Sequence, residues 1–313
     1  MGKISSGIYH VLLKAANSLP LAIRNFLIVL IKKMGLPYKR FYSDLKYVGK
    51  FAIKTNTGKF RMSATGGTIE NEIFWKGLYN SLEPETIVVW EQLSKLSKVI
   101  VDVGANTGVY GLLSKSANPA SQVFCFEPSR NTYRELKRNI ECNAYDINAL
   151  EMALSDKKGE CVFYDTIDEH QTSASLSPQK LKENPGYHGA INEYTVKTIT
   201  LDEFVKENNL PSVDLVKIDV ELHEPEVFAG MINVINTYQP IIIFEVLIPE
   251  VAERLNLFFD NLPYMLYHLE MEKDILLLNR VRALEGRINF DWNYLACPNE
   301  KIQLLNSLFK VSE

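Results

Sequence analysis

The residues able to do chemistry in this chain stand at the ends of short apolar runs. Residues 99–103, V-I-V-D-V, are β-branched and apolar apart from Asp102, the pattern of a strand buried on both faces of a parallel sheet. Gly104, Ala105, Asn106 and Gly108 follow as a turn of little side-chain bulk, where a ligand can lie against the backbone. Val109, Leu112 and Leu113 then recur at helical spacing. A dinucleotide loop of the form G-x-G-x-x-G cradles pyrophosphate. Here Asn106 replaces the second glycine, and Asp102 sits two residues before Gly104. A carboxylate there repels phosphate and tolerates a cation. S-adenosylmethionine, with a sulfonium, an ammonium group and no phosphate, fits those constraints.

Further acids stand at the ends of further strands. Residues 123–126 end in Glu127-Pro128, and Glu127 lies 19 residues after Gly108. That is close to the ~20-residue offset at which an acid holds a ribose diol. Ser129 is placed to cap the helix that follows. Residues 147–154 read as a third strand ending in Ser155-Asp156, where Asp156 either reaches an adenine amino group or belongs to the turn D-K-K-G. The fourth strand, residues 215–220, runs into D-V-E-L-H-E-P-E. Asp219 and Glu221 are two apart and share a side while the chain stays extended, and His223 continues the row on the same condition. Pro225 suits the first turn of a helix over 226–237, and residues 240–245 form a fifth strand ending in Glu245. In an open α/β sheet this edge is where ligands bind.

Those strands need helices between them and a core around them. The chain has 313 residues, 46% hydrophobic, enough for one large α/β domain with an appendage. We place the appendage at residues 1–81 and the main domain at 82–313. Residues 47–62 alternate around Asn56-Thr57-Gly58 as a hairpin, and 85–96 read as a helix leading into the first strand. Residues 161–164 and 194–199 read as flanking strands, and the polar tract 165–193 between them as a lid. A helix at 251–259, strands near 264–270, 275–278 and 292–296, and a final helix at 301–309 complete the expected order.

A net charge of −4 excludes a nucleic-acid footprint. The four cysteines are far apart and read as reduced thiols in a cytoplasmic protein, with no disulfide or zinc site expected and no residue assigned as a metal ligand. Residues 1–50 hold nine basic residues against the single acid Asp44, so this stretch carries +8 and the remainder −12. Its apolar runs are too short to span a membrane, and no signal-peptide cleavage site follows them. Two readings stand. A helix with Leu21, Phe26, Ile28 and Ile31 inward lies on the anionic inner face of a membrane. Alternatively, and preferred, it packs on the main domain or on a second copy in a homo-oligomer.

V-D-V-G-A-N-T-G, F-C-F-E-P, A-L-S-D, T-I-T-L-D, K-I-D-V-E-x-H-E and N-Y-L-A-C-P, in this order and spacing, closely resemble the FkbM-type S-adenosylmethionine-dependent methyltransferases over roughly residues 74–298. The resemblance implies a Rossmann-like seven-stranded methyltransferase sheet with helices on both faces, here with an N-terminal helical arm and hairpin. It implies O-methylation of a hydroxyl on a sugar, glycan or related small molecule. Carried over by position, Asp102, Gly104, Ala105, Asn106 and Gly108 hold the methionine part of the cofactor, Glu127 the ribose and Asp156 the adenine. Asp219, Glu221, His223 and Glu224 face the methyl-transfer site. The family usually has Gly where this chain has Leu222, a strained position for Leu if φ is positive there.

His223 is the expected base, because imidazole titrates near neutral pH. Asp219 and Glu221 either orient it or hold a divalent cation, which no other feature of the sequence supports. Two other functions compete: a catalytically inactive partner protein of the same fold, and a nicotinamide-dependent sugar dehydrogenase. The second lacks its glycine loop, and Tyr133 and Lys137 have the spacing of its acid on the wrong helix.

Overall fold

The apolar run after Pro20 forms α1 (Leu21–Lys33). Ile28 is buried with Leu45, Phe74 and Trp75, and Val29 and Ile31 pack against that cluster. The helix thus packs within residues 1–81, the stretch expected as the appendage, rather than on the main domain of the preferred reading. Leu21 and Phe26, expected on the same face as Ile28, point outward and are 48% and 67% exposed. The computed structural model describes residues 18–34, 45–81, 83–166, 176, 191–269, 275–283 and 292–312; the apolar run at 8–13 lies outside them.

The hairpin forms as expected: β1 (Gly49–Lys54) and β2 (Lys59–Ala64) pair antiparallel around Asn56-Thr57-Gly58. Two helices follow, α2 (Thr68–Lys76) and α3 (Pro84–Ser94). The first half of the main sheet is β3 (Val99–Val103), α4 (Val109–Ala117), β4 (Gln122–Phe126), α5 (Arg130–Glu141) and β5 (Ile147–Leu150). Next come β6 (Ala153–Leu154), β7 (Gly159–Thr166), β8 (Ile191–Ile199) and α6 (Leu201–Glu207). The second half is β9 (Leu215–Ile218), α7 (Glu224–Ala229), α8 (Ile232–Tyr238), β10 (Ile241–Glu245) and α9 (Pro249–Phe259). It closes with β11 (Tyr264–Leu269), β12 (Ile275–Leu278), β13 (Asn293–Pro298), α10 (Ile302–Leu308) and β14 (Val311–Ser312).

The strand order is β5-β4-β3-β9-β10-β13-β11-β12-β14. The first five run parallel, and β13 is antiparallel to both its neighbours. The expected seven-stranded sheet is therefore present, with β12 and β14 extending one edge. Two elements differ from expectation. The third strand stops at Leu150, and Ala153-Leu154 pairs instead with β8, in a separate three-stranded sheet with β7. The helix expected over 226–237 breaks at Gly230, where a Cβ would lie 2.0 Å from the Ser155 carbonyl oxygen. Of the expected lid, residues 165–166 and 191–193 belong to β7 and β8; residues 167–175 and 177–190 lie outside the described residues.

Alternation along each strand sorts the core into two faces. Val101, Phe126, Ile218 and Phe244 bury one face under α6 and α9. Ile100, Cys125, Leu215, Ile243 and Leu295 bury the other, together with Phe60 and Met62 of the hairpin and Trp90 of α3. Each fully buried side chain of this size contributes roughly 1.5–3 kcal/mol. The hairpin is also fastened to α5 by asparagines one turn apart. Asn139 Oδ1 accepts the Ser63 N–H at 2.7 Å, Asn143 Oδ1 accepts the Arg61 N–H at 2.6 Å, and Asn143 Nδ2 donates to the Arg61 carbonyl at 2.8 Å. From β3 the chain winds outward to β5 and returns to β9 on the other side of β3. The crevice beyond β3 and β9 is therefore the topological switch point, where open α/β sheets bind ligands.

Candidate functional site

The turn after β3 is built from positive φ angles: 78° at Gly104, 49° at Asn106 and 90° at Gly108. The Gly104 and Ala105 N–H groups both donate to the Phe126 carbonyl, at 3.0 and 2.9 Å, which pins the turn to the end of β4. The Asn106 N–H donates to Glu127 Oε2 at 2.9 Å, and the Ser129 N–H to Glu127 Oε1 at 2.8 Å. Ser129 also caps α5 as expected, accepting from the Thr132 N–H. Glu127 is thus joined directly to the glycine turn. Its burial pushes the carboxyl up to about 8; the Ser129 and Asn106 N–H groups oppose that rise, and the charges of Asp165 and Asp102 add to it.

Asp102 lies beneath the turn, 1% exposed, its Oδ2 accepting the Gly111 N–H at 3.1 Å. Burial pushes its carboxyl up to about 7, against the pull of Lys217 and with the help of Asp219. Asp102 therefore ties β3 to α4 from beneath the turn rather than standing at the rim of the crevice.

Lys217 is the group that the sequence reading missed. It is 2% exposed, with Nζ 2.7 Å from Asp219 Oδ2, 3.9 Å from Glu83 Oε2 and 4.4 Å from the centre of the Tyr110 ring. Tyr110 Oη donates to Glu83 at 2.5 Å. Burial alone would lower the ammonium pKa; Asp219, Glu83 and Asp102 outweigh it, so Lys217 stays charged. The signal in the sequence is a lysine inside the apolar run V-D-L-V-K-I, since a buried charge requires a partner.

Beyond Asp219 the chain does not stay extended. Glu221 and Leu222 have φ angles of 58° and 78°, so two consecutive left-handed residues turn His223 out of the row. The concern about Leu222 is therefore realised. His223 Nε2 is hydrogen-bonded to Ser155 Oγ at 2.9 Å, and Nδ1 lies 3.7 Å from Glu226 Oε2. Ser155 and Glu226 orient the ring, in place of the expected Asp219 and Glu221. Burial lowers the imidazole pKa and Arg254 adds to this, while Glu226 and Asp156 oppose it, so the ring is neutral near pH 7. Glu224 turns inward and accepts the Val220 N–H at 3.2 Å, bracing the turn. Asp156 is exposed, with Oδ1 accepting from Ser155 Oγ at 3.1 Å.

Asp219 and Glu221 meet Glu245 instead. One carboxylate oxygen from each of the three lies within 4.8 Å of the others. At that distance each ionised pair repels by about 3 kcal/mol at an effective dielectric of ~20. Of the residues proposed from sequence, the structure gathers Gly104, Ala105, Asn106, Gly108 and Glu127 around one turn. It sets Asp102 behind that turn, next to the unforeseen Lys217, joins Asp219 to Glu221 and Glu245, and anchors His223 with Ser155 and Asp156.

A family model described as the Methyltransferase FkbM domain matches residues 102–269. Among curated proteins, the hexuronic acid methyltransferase AglP of Haloferax volcanii is 32% identical over 148 residues, 46% of this chain and 54% of that protein. The 2-O-methyltransferase NoeI of Sinorhizobium fredii is 31% identical over 148 residues, 44% of this chain and 59% of that protein. The chain thus spans little more than half the length of these relatives. Among solved structures, the methyltransferase FkbM from Methylobacillus flagellatus superposes with a TM-score of 0.38 at 13% identity, covering 64% of this chain and 43% of that one.

Proposed function

Because the chain belongs to the FkbM methyltransferase family, we propose that it transfers a methyl group from S-adenosylmethionine to a hydroxyl of a sugar, glycan or related small molecule. The observation that carries this reading is the turn at the switch point, hydrogen-bonded to Glu127 at the end of the next strand and backed by Asp102. The sugar class is suggested by the names of the two relatives.

The donor set fits the cofactor. Each Glu127 oxygen accepts one backbone N–H and keeps a second lone pair, one for each hydroxyl of a ribose diol. Asp102, Asp219 and Glu83 surround a single lysine, so the turn sits in a negative field suited to a cationic ligand. When bound, S-adenosylmethionine supplies the electrophilic methyl group. His223 is the base for the acceptor's proton, and Glu226, 3.7 Å from the ring, stabilises the resulting imidazolium. Asp156 would receive the adenine amino group.

Calorimetry of S-adenosylmethionine binding tests this, with Asp102→Ala and Glu127→Ala variants and a nicotinamide dinucleotide as control. The expected result is binding to the wild type, weakening in both variants and no binding of the dinucleotide. A folded protein that binds no S-adenosylmethionine would favour the non-catalytic partner reading, to which the left-handed Leu222 is the pointer.

We also propose that α1 rests on the anionic cytoplasmic face of a membrane. Ile23, Phe26, Leu30 and Met34 form one exposed stripe, 49, 67, 42 and 64% accessible, within the basic first 50 residues. No helix among the described residues is long and apolar enough to cross a membrane. Co-sedimentation with phosphatidylglycerol vesicles, lost in the Phe26→Ser/Leu30→Ser double variant and absent with phosphatidylcholine, is the expected outcome. Concentration-dependent dimerisation lost in the same variant would assign the stripe to a second copy instead.

A further inference from the structure

We propose that Asp219, Glu221, Glu245 and Asn293 form an oxygen-only site for one divalent cation. The first observation is convergence. Three carboxylates from the ends of β9 and β10 bring one oxygen each to within 4.8 Å of the others. Oxygens on opposite sides of a calcium ion stand about 4.6–5.2 Å apart, and around magnesium about 4.0–4.2 Å. The cluster therefore has the span of a single ion's ligand shell.

The second observation is independent of the acids. Asn293, 3% exposed, buries its side-chain carbonyl oxygen with no hydrogen-bond partner. Its register tells which residues its side chain stands beside. Asn293 and Glu245 are opposed residues of the antiparallel pair β10–β13, so their Cβ atoms lie about 4.5–5.5 Å apart on one face. In the parallel pair β9–β10, Phe244 is in register with Ile218, which puts Glu245 beside Asp219. Ile218, Phe244 and Tyr294 pack in the core of one face, whereas Leu215, Ile243 and Leu295 pack in that of the other. By alternation Asp219, Glu245 and Asn293 share that second face and form one row across three adjacent strands. Glu221 closes the row because the left-handed turn folds it back over Asp219. A buried amide oxygen without a donor, on a residue in the same row as three carboxylates, is the further acceptor that a cation would take.

All four ligands are hard oxygens, so the ion is of the magnesium, manganese or calcium class. Lys217 holds Asp219 Oδ2 and so fixes the rotamer of one ligand. The site goes beyond the methyl-transfer reading and does not depend on it. If both hold, the ion would bind the acceptor's oxygens and make the hydroxyl proton easier to remove.

The test is a manganese titration of the full chain followed by electron paramagnetic resonance, without cofactor or acceptor. The expected result is one Mn²⁺ per chain, displaced by Mg²⁺ or Ca²⁺. Glu245→Gln and Asn293→Leu should each weaken binding at least tenfold, with circular dichroism showing both variants folded. Asn293→Asp, which keeps an oxygen and adds a charge, should bind at least as tightly as wild type. It should also melt lower without metal and recover when Mg²⁺ is added. A folded wild-type protein that binds no Mn²⁺, or binding unchanged in both Glu245→Gln and Asn293→Leu, overturns the site. Tenfold weaker binding in Asn293→Asp removes Asn293 from it. S-adenosylmethionine calorimetry on the same sample shows separately whether the methyl-transfer reading stands.

Discussion

Gly104 and Asp219 meet backbone to backbone: a Cβ on Gly104 would lie 1.8 Å from the Asp219 carbonyl oxygen. The glycine turn and the acid cluster are thus in direct contact across β3 and β9, and Gly104 also has a φ of 78°. Gly104→Ala combines left-handed strain of roughly 1–2 kcal/mol with overpacking of roughly 1–3 kcal/mol. Gly77 has a φ of 82° and nothing within 4 Å of a Cβ, so Gly77→Ala meets backbone strain alone. Thermal melts should show the larger loss for Gly104→Ala, with cofactor binding abolished only there.

Glu127 and Asp102 titrate at about 8 and about 7, well above ordinary carboxyls. Folding keeps them protonated to higher pH than in the unfolded chain, so their contribution to stability is present in acid and lost as pH rises from about 4 to 8. A ligand that donates to Glu127 or carries positive charge favours the ionised form. S-adenosylmethionine affinity should therefore rise from pH 6 to pH 8.5, with proton release visible as buffer-dependent heats. Glu127→Gln should remove most of that dependence.

His223 is held neutral by burial, so the acid limb of the kcat profile should fall below the ordinary histidine range. His223→Ala should lower kcat by roughly 10²–10⁴. Glu226 raises the imidazole pKa, so Glu226→Gln should move the acid limb lower still. Unchanged turnover of His223→Ala across pH would remove the base role.

Leu222 is partly buried against the core at a φ of 78°. Leu222→Gly exchanges strain relief of roughly 1–2 kcal/mol for lost packing and a more flexible unfolded chain, which nearly cancel. Leu222→Val keeps an apolar side chain but places a β-branched residue where it fits worst. Chemical denaturation should find the glycine variant within about 1 kcal/mol of wild type and the valine variant clearly weaker.

The strands carrying Asp102, Glu127 and Asp219 are legible in the sequence because each is a buried, mostly apolar run with an acid near or just past its end. Lys217 is not, because only Asp219, two residues on, is local; Glu83 before α3 and Tyr110 of α4 reach it from distant parts of the chain. His223 is misplaced by the assumption of an extended chain, which Glu221 and Leu222 break. Only the glycine usual in the family at position 222 hints at that turn. Glu245 is legible as a strand end, but its meeting with Asp219 and Glu221 depends on the parallel register of β9 and β10. Asn293 is legible only as part of a motif, because its neighbour across the sheet is 48 residues away in the chain.

The asparagine fastening of the hairpin bears on behaviour at high concentration. The outer edge of a two-stranded sheet offers a row of unpaired amides and carbonyls to any other chain. Asn143 answers the Arg61 N–H and carbonyl as a neighbouring strand would, and Asn139 answers the next amide on the same edge, at Ser63. A helix thereby occupies the place where a stray strand would dock, which shields this part of the protein from edge-to-edge self-association.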